Sequence, residues 1–287
     1  MASMREIKRR KATIESTGQI TQAMKVVSTA KLQKAKGKVE ASKPYFSYMY
    51  DAVNSILAKS QNVSHPYLQE GTSKKKAFIV VTSNRGLAGG YNNNVVKLLT
   101  QGDIPKEDIL VYAVGRKGRD ALQRYGYEIK ADYSEVMNGP MFSDAADIGR
   151  AVLDAFTNQE VGEIYVAYTV FKNTITQIPT LTKLLPVAVE QEEKEVNSVD
   201  DLVLMNYEPE AEEALDQIIP KYINSLIYGA LTESVASENG ARMQAMDSAS
   251  NNAEEMVADL ALKYNRARQG IITQELTEIV AGASAIE

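Results

Sequence analysis

All eight prolines of this 287-residue chain lie between positions 44 and 220, leaving the first 43 and the last 67 residues without one. An interior proline costs a helix about 3 kcal/mol, so proline-free stretches of this length permit long helices. At about 1.5 Å per residue, some 60 helical residues would reach roughly 90–100 Å, several times the width of a small domain. The expectation is a long, exposed rod.

Charge divides the chain at the same places. Residues 1–43 hold eleven lysines and arginines against three acidic residues, a balance of +8. Residues 208–287 hold five against fourteen, a balance of −9, and the middle carries −4. The total of −5 conceals two ends of opposite sign. Such asymmetry marks a nucleic-acid arm, an acidic tail, or two segments that lie against each other.

Helical periodicity favours the last of these. Leu215, Ile218, Ile219, Tyr222, Leu226 and Ala230 recur in steps of three and four. The row resumes with Met243, Met246, Ala249, Ala253, Met256, Leu260, Tyr264, Ala267 and Ile271. A narrow seam of this kind is what paired helices use. At the other end Ile7, Ile14, Ile20, Met24, Val27 and Ala35 follow a thinner version. A helix this polar is marginal alone and needs a partner. The opposite charges select each terminal helix as the other's partner, antiparallel if the segment between joins them at one end. Asn239-Gly240 is a turn-type pair, but the seam resumes in phase beyond it, which predicts one continuous helix.

The middle is patterned differently. Ala77–Val81, within KAFIVVT, is a β-branched apolar run followed by the turn Arg85-Gly86-Leu87-Ala88-Gly89-Gly90 and a helical stretch to Leu99. Ile109–Val114, Gly115 and an amphipathic 116–125 repeat that plan. Ser143–Phe156 reads as a helix, 161–171 as a strand, and Ile175–Leu185 as the strand returning from it. Residues 190–206 suggest an edge strand. Alternating strands and helices predict an α/β, Rossmann-like domain with a mostly parallel sheet. The division is a helix over 1–60, the α/β domain over 75–190 and a helix over 208–287, the two helices forming a long antiparallel coiled coil.

Composition excludes much chemistry. Zero cysteines removes disulfides, thiolate metal sites and cysteine nucleophiles, and the single histidine, His65, leaves no basis for a histidine metal centre. His65 stands in Ser-His-Pro-Tyr and reads as a surface-loop residue. No apolar run of about 18 residues and no secretory h-region is present. The turn at 85–90 matches neither established phosphate-loop spacing and reads as a structural strand-to-helix turn. No paired-carboxylate or metal-ligand spacing stands out, so no catalytic residue, cofactor or metal is assigned. Two other classes fit parts of the chain. A nucleotide-dependent oxidoreductase would bind its cofactor through 75–190. A basic-arm nucleic-acid protein would bind through 1–43, which lacks stacking aromatics.

The last residues narrow the choice. Arg268-Gln269-Gly270-Ile271-Ile272-Thr273-Gln274-Glu275-Leu276-Thr277-Glu278-Ile279-Val280-Ala281-Gly282-Ala283 resembles the C-terminal signature of the gamma subunits of F-type ATP synthases. Met4-Arg5-Glu6-Ile7-Lys8-Arg9-Arg10, Gln19 to Val27, Ser64-His65-Pro66-Tyr67-Leu68, Asn84 to Asn92 and Asn206-Tyr207-Glu208-Pro209 resemble the same family in the same order. The resemblance implies a non-catalytic rotor shaft of an H+-transporting two-sector ATPase, the choice of coupling ion residing in the c-ring. It implies a coiled coil inserted into an α3β3 hexamer and an α/β domain resting on the c-ring with the epsilon subunit. It places Arg268 and Gln269 at β-subunit catch loops, and Met24 and Lys25 near the β lever. Lys8, Arg9 and Arg10 would face acidic β surface, and Tyr207 and Glu208 the c-ring loops. Small and polar exposed residues would suit a shaft slipping past its bearing. Gln22 departs from the family, which commonly has lysine there, and the cysteine-bearing insert of chloroplast relatives is missing. No transit peptide precedes the matching start. The expected setting is therefore the cytoplasmic side of a bacterial cell membrane, as a peripheral protein.

Overall fold

A computed structural model describes residues 3–59, 65–187 and 211–284. The elements, in chain order, are α1 (Met4–Lys59), β1 (Lys76–Val81), α2 (Tyr91–Thr100), β2 (Ile109–Val114) and α3 (Arg116–Arg124). They continue with β3 (Glu128–Asp132), α4 (Phe142–Thr157), β4 (Glu163–Phe171), β5 (Gln177–Leu185) and α5 (Ala211–Ser284). Two compact units emerge, residues 1–29 with 242–287, and residues 30–241. The strand expected within 190–206 lies outside the described residues.

In the larger unit the sheet order is β3-β2-β1-β4-β5. The first four strands run parallel and β5 pairs antiparallel with β4. β1 and β2 read as continuous apolar runs because helices cover both of their faces. Phe78, Val80, Val111 and Ala113 meet Val95, Val96 and Leu99 of α2 and Leu122 of α3. On the opposite face Ile79, Val81, Val114 and Val166 pack with Ile148 and Val152 of α4, Val53 and Ile56 of α1, and Leu215, Ile219, Ile223, Ile227 and Leu231 of α5. β3 is an edge strand whose side chains alternate exposed and half-buried, which is why its polar EIKAD sequence gave no strand signal.

Both long helices continue through a proline, Pro44 in α1 and Pro220 in α5. Each ring removes one backbone bond, opposite the carbonyls of Glu40 and Asp216. Around Pro220 the fully buried Leu215, Ile219 and Ile223 supply more apolar burial than that loss costs. The turn-type Gly240 is explained by packing. A Cβ there would sit 3.3 Å from the side-chain Nε2 of Gln177, the first residue of β5, and 3.6 Å from the Thr174 carbonyl oxygen in the β4–β5 turn. The helix is continuous because the glycine serves close approach and makes no turn.

In the smaller unit, α1 buries or half-buries Met4, Ile7, Lys11, Ile14, Gly18, Thr21, Lys25 and Ser28, alternating steps of three and four. The facing row on α5 is Met246, Ser250, Ala253, Val257, Leu260, Tyr264 and Ala267. Three contacts fix an antiparallel register. A Cβ at Gly18 would lie 3.3 Å from that of Ala253. The Thr21 and Ser250 hydroxyls share a hydrogen bond at 2.7 Å, and Lys25 pairs with Asp247 at 2.6 Å. The seam differs in detail from the expected one. Ile20 and Val27 are 58% and 55% exposed, and Met256 and Ile271 also lie outside it. Gly18, Thr21, Lys25 and Ser28 on α1 and Ser250 and Ala253 on α5 put small or polar side chains at part of the seven-residue positions, so the backbones can approach closely there while these larger residues face outward.

Two backbone and charge features give measurable consequences. Gly115 has φ +115, and a Cβ there would lie 2.1 Å from the Thr82 carbonyl oxygen. Gly37, helical and exposed, has nothing within 4 Å. Gly115→Ala should lower stability by about 3 kcal/mol or more through strain and overlap, whereas Gly37→Ala should raise it by up to about 1 kcal/mol, both read from the thermal unfolding midpoint. Glu163 bridges strands by hydrogen bonds from Lys183 at 2.6 Å and from Lys76. Burial opposes its charge, but the two lysines outweigh burial and hold the carboxyl below its ordinary 4.5. Its stabilisation is therefore complete above about pH 4.5 and lost as pH falls through the lowered value. Glu163→Gln should cost about 1–2 kcal/mol at neutral pH and abolish that acid dependence in denaturant titrations taken across pH 2–7.

Candidate functional site

In a doubly wound sheet, ligands bind beyond the carboxyl ends of the strands where strand order reverses. That point falls between β1 and β4 here, and the chain fills it with its own helix. The β1–β4 ladder ends at Val80 and Ala167. Past it, the Thr169 N–H reaches Ser234 Oγ at 3.5 Å, and Ser237 Oγ donates to the Thr169 carbonyl at 3.0 Å. Tyr91, the first residue of α2, donates its hydroxyl to the Ser234 carbonyl at 3.2 Å. Ser234 and Ser237 are fully buried.

The glycine-rich turn spends its polar groups on the fold. The Ser83 N–H donates to Asn92 Oδ1 at 2.8 Å and the Ser83 hydroxyl to the Arg85 carbonyl at 2.6 Å. Asn84 accepts from the Arg116 N–H at 3.0 Å and donates to the Ser134 carbonyl at 2.7 Å. It thereby ties together the segments that follow β1, β2 and β3. Leu87 and Gly89 both take positive φ to close the turn. This is the structural turn that the sequence suggested.

His65 corrects an expectation. It is 3% exposed rather than a surface-loop residue. Its Nδ1 accepts the Tyr67 N–H at 3.2 Å, which leaves Nε2–H to donate to Asp216 Oδ1 of α5 at 2.9 Å. Tyr67 stands against it and against Phe156. The proline that follows fixes the short turn at Pro66–Leu68, which His65 caps, and this turns the ring inward. The role is structural. Among the described residues no group of acidic and histidine side chains is placed to hold a metal. No helix among them is long and apolar enough to cross a membrane.

The remaining surface of interest belongs to the smaller unit. Lys8, Arg9 and Arg10 are exposed, off the seam marked by Ile7 and Lys11. Met24 and Lys25 are half-buried at the seam, and the Lys25 ammonium is engaged by Asp247. Arg268 and Gln269 open a stretch through Ala281 in which every side chain is exposed. Tyr207 and Glu208 lie outside the described residues. Sequence reasoning missed a set of bare apolar residues: Ile20, Val26 and Val27 on α1, and Leu262, Ile272, Leu276, Ile279 and Val280 on α5. Most of the exposed surface here is small or polar, as expected, but these apolar side chains interrupt it. The signal was available, since these apolar residues fall off the seven-residue seam. Contiguous exposed apolar surface of this kind marks a partner interface.

Comparison with known proteins identifies the family. A family model described as ATP synthase matches residues 3–286. An ATP synthase gamma chain from Lachnoclostridium phytofermentans is 68% identical over 290 residues, covering 100% of both chains. A sodium ion specific ATP synthase gamma chain from Acetobacterium woodii is 42% identical, covering 99% of each. Among solved structures, a chain of the Euglena gracilis mitochondrial ATP synthase superposes with a TM-score of 0.70 at 19% identity, covering 99% of this chain and 94% of that one. A chain of the central stalk and c-ring of the Tetrahymena thermophila mitochondrial enzyme gives 0.60 at 24% identity, covering 80% and 99%. Those two likenesses concern the fold. With the family match and the full-length relatives, this chain belongs to the family of ATP synthase gamma chains.

Proposed function

We propose that this chain is the central rotor shaft of a bacterial F-type ATP synthase, coupling rotation of a membrane c-ring to conformational cycling of β-subunit catalytic sites. The observation that carries the reading is the exposed end of α5. From Arg268 to Ala281 every described side chain is exposed, yet Ile272, Leu276, Ile279 and Val280 are apolar. Such a surface is covered by a partner that encloses it, as an α3β3 ring would. The chain holds no catalytic group and acts by asymmetry. As it turns, it presents a different face to each β subunit and shifts that site among nucleotide-binding states through differential contacts.

The parts follow from this. Residues 1–60 and 208–287 form the coiled-coil shaft, and 75–190 forms the foot that meets the c-ring and epsilon. Arg268 and Gln269 contact β catch loops. Met24, Lys25 and the patch Lys8, Arg9 and Arg10 meet the β lever and acidic β surface, and Tyr207 and Glu208 approach the c-ring loops. The complex works at the bacterial cell membrane, with this subunit peripheral on the cytoplasmic side.

Two measurements test the proposal. Co-expressed with its α and β subunits, the chain should co-purify as an ATP-hydrolysing α3β3γ complex. A gold rod fixed to the α/β domain should then turn in one direction on adding ATP. An active complex in which the rod stays still would sink the rotor assignment. Replacing Arg268 and Gln269 together with alanine should lower the ATPase rate of that complex about five- to tenfold, equivalent to about 1–1.4 kcal/mol of lost contact. An unchanged rate would remove these two residues from the β interface.

A further inference from the structure

β4 outruns its parallel neighbour. Its ladder to β1 stops at Ala167, but the strand continues to Phe171, which leaves the N–H and C=O groups of that edge in need of partners. They find them on α5. Ser234 and Ser237, three residues apart on one helical face, engage the Thr169 N–H at 3.5 Å and its carbonyl at 3.0 Å. Two residues farther along the strand, the Phe171 N–H faces the Glu233 carboxyl group and favours its charged form, while Glu233 Oε2 is buried without a hydrogen-bond partner. The pairing is consistent on the other side of the strand. Thr169 stands opposite Pro179 of β5, and because the Thr169 backbone groups turn toward α5, the missing N–H of Pro179 leaves no bond unmade. One turn farther along the helix, Gly240 gives the β4–β5 turn room to lie against α5.

Resting on the rotor reading above, we propose that Glu233, Ser234 and Ser237 form a hydrogen-bonded clamp that transmits torque between the sheet and α5. Apolar packing resists separation of two surfaces but is non-directional and lets them slide. Hydrogen bonds are directional. If α5 turned or slid against β4, buried backbone groups of the strand would lose their partners with no water to replace them. The Tyr91 hydroxyl bond to the Ser234 carbonyl holds the same point of α5 to the start of α2. These are positioning residues, distant in role from any reacting group.

The test uses the assembled, membrane-reconstituted enzyme. The variant pair Ser234→Ala with Ser237→Ala should assemble and hydrolyse ATP. In it, the angular spread of a rod on the α/β domain should widen when the β sites are stalled, and ion uptake per ATP hydrolysed should fall. Exchange of the Thr169 amide proton should accelerate about fivefold, the loss of one hydrogen bond. Ser237→Thr, which keeps the hydroxyl, should restore the wild-type spread. If the double variant does not assemble, Glu233→Ala is measured the same way at the Phe171 amide, with Glu233→Gln, which keeps the acceptor, as its rescue. Assembled variants with wild-type angular spread and wild-type coupling overturn the clamp. A wild-type complex that never rotates overturns the rotor reading instead.

Discussion

The structure depends on α5 remaining helical from Ala211 to Ser284 while its surroundings change completely. Its first half is a core helix, with Leu215, Ile219, Ile223, Ile227 and Leu231 fully buried. Farther on it becomes one side of a two-helix seam, and at the end it carries no cover at all. Helix propensity alone cannot sustain this, since Pro220, Gly229, Gly240 and Gly270 all weigh against it. Each section is held by a different means: apolar burial against the sheet, hydrogen bonds to the β4 edge, and then a two-helix seam whose register is fixed at Gly18–Ala253, Thr21–Ser250 and Lys25–Asp247.

That seam explains the surface. With Gly18 facing Ala253 and Thr21 facing Ser250 across the seam, the pair gains close backbone approach at its middle. Large residues such as Ile20, Val27 and Ile279 are left outside. A single narrow seam gives a helix pair modest stability, and the ion pair Lys25–Asp247, with both ends a third or more exposed, adds little. The apolar surface that would ordinarily be buried within the pair is available to whatever surrounds it.

Much of this was legible in the residues. Proline placement and charge separated two helical ends from an α/β middle, and strands β1, β2, β4 and β5 announced themselves through β-branched runs. The C-terminal residues pointed to the gamma subunits. The failures share one cause: each concerns a residue whose setting is decided by tertiary contact. His65 looked like a loop residue because Ser-His-Pro-Tyr is loop-like, yet Asp216, 151 positions away, holds its ring. β3 was invisible because an edge strand with exposed alternate positions needs no apolar signature. Ile20 and Val27 are apolar but stand off the strict seven-residue spacing, and the structure leaves them exposed. Seven-residue steps from Met4 select Lys11, Gly18 and Lys25, and those from Ile7 select Ile14, Thr21 and Ser28.

The topology itself is a poor guide to chemistry here, and the reason is specific. The order β3-β2-β1-β4-β5 with a glycine-rich turn after β1 is shared with sheets that bind nucleotides at the switch point. In such sheets the crevice beside the first strand is open and the turn amides face the ligand. In this chain Ser234 and Ser237 occupy the edge of β4 where a ligand would lie, and the polar groups of Ser83 and Asn84 are committed to the fold. The position that supports binding in one protein serves here to fasten a helix. A sheet used as a mechanical part gains more from filling that gap than from leaving it open, because an unfilled strand edge is where a helix could slip.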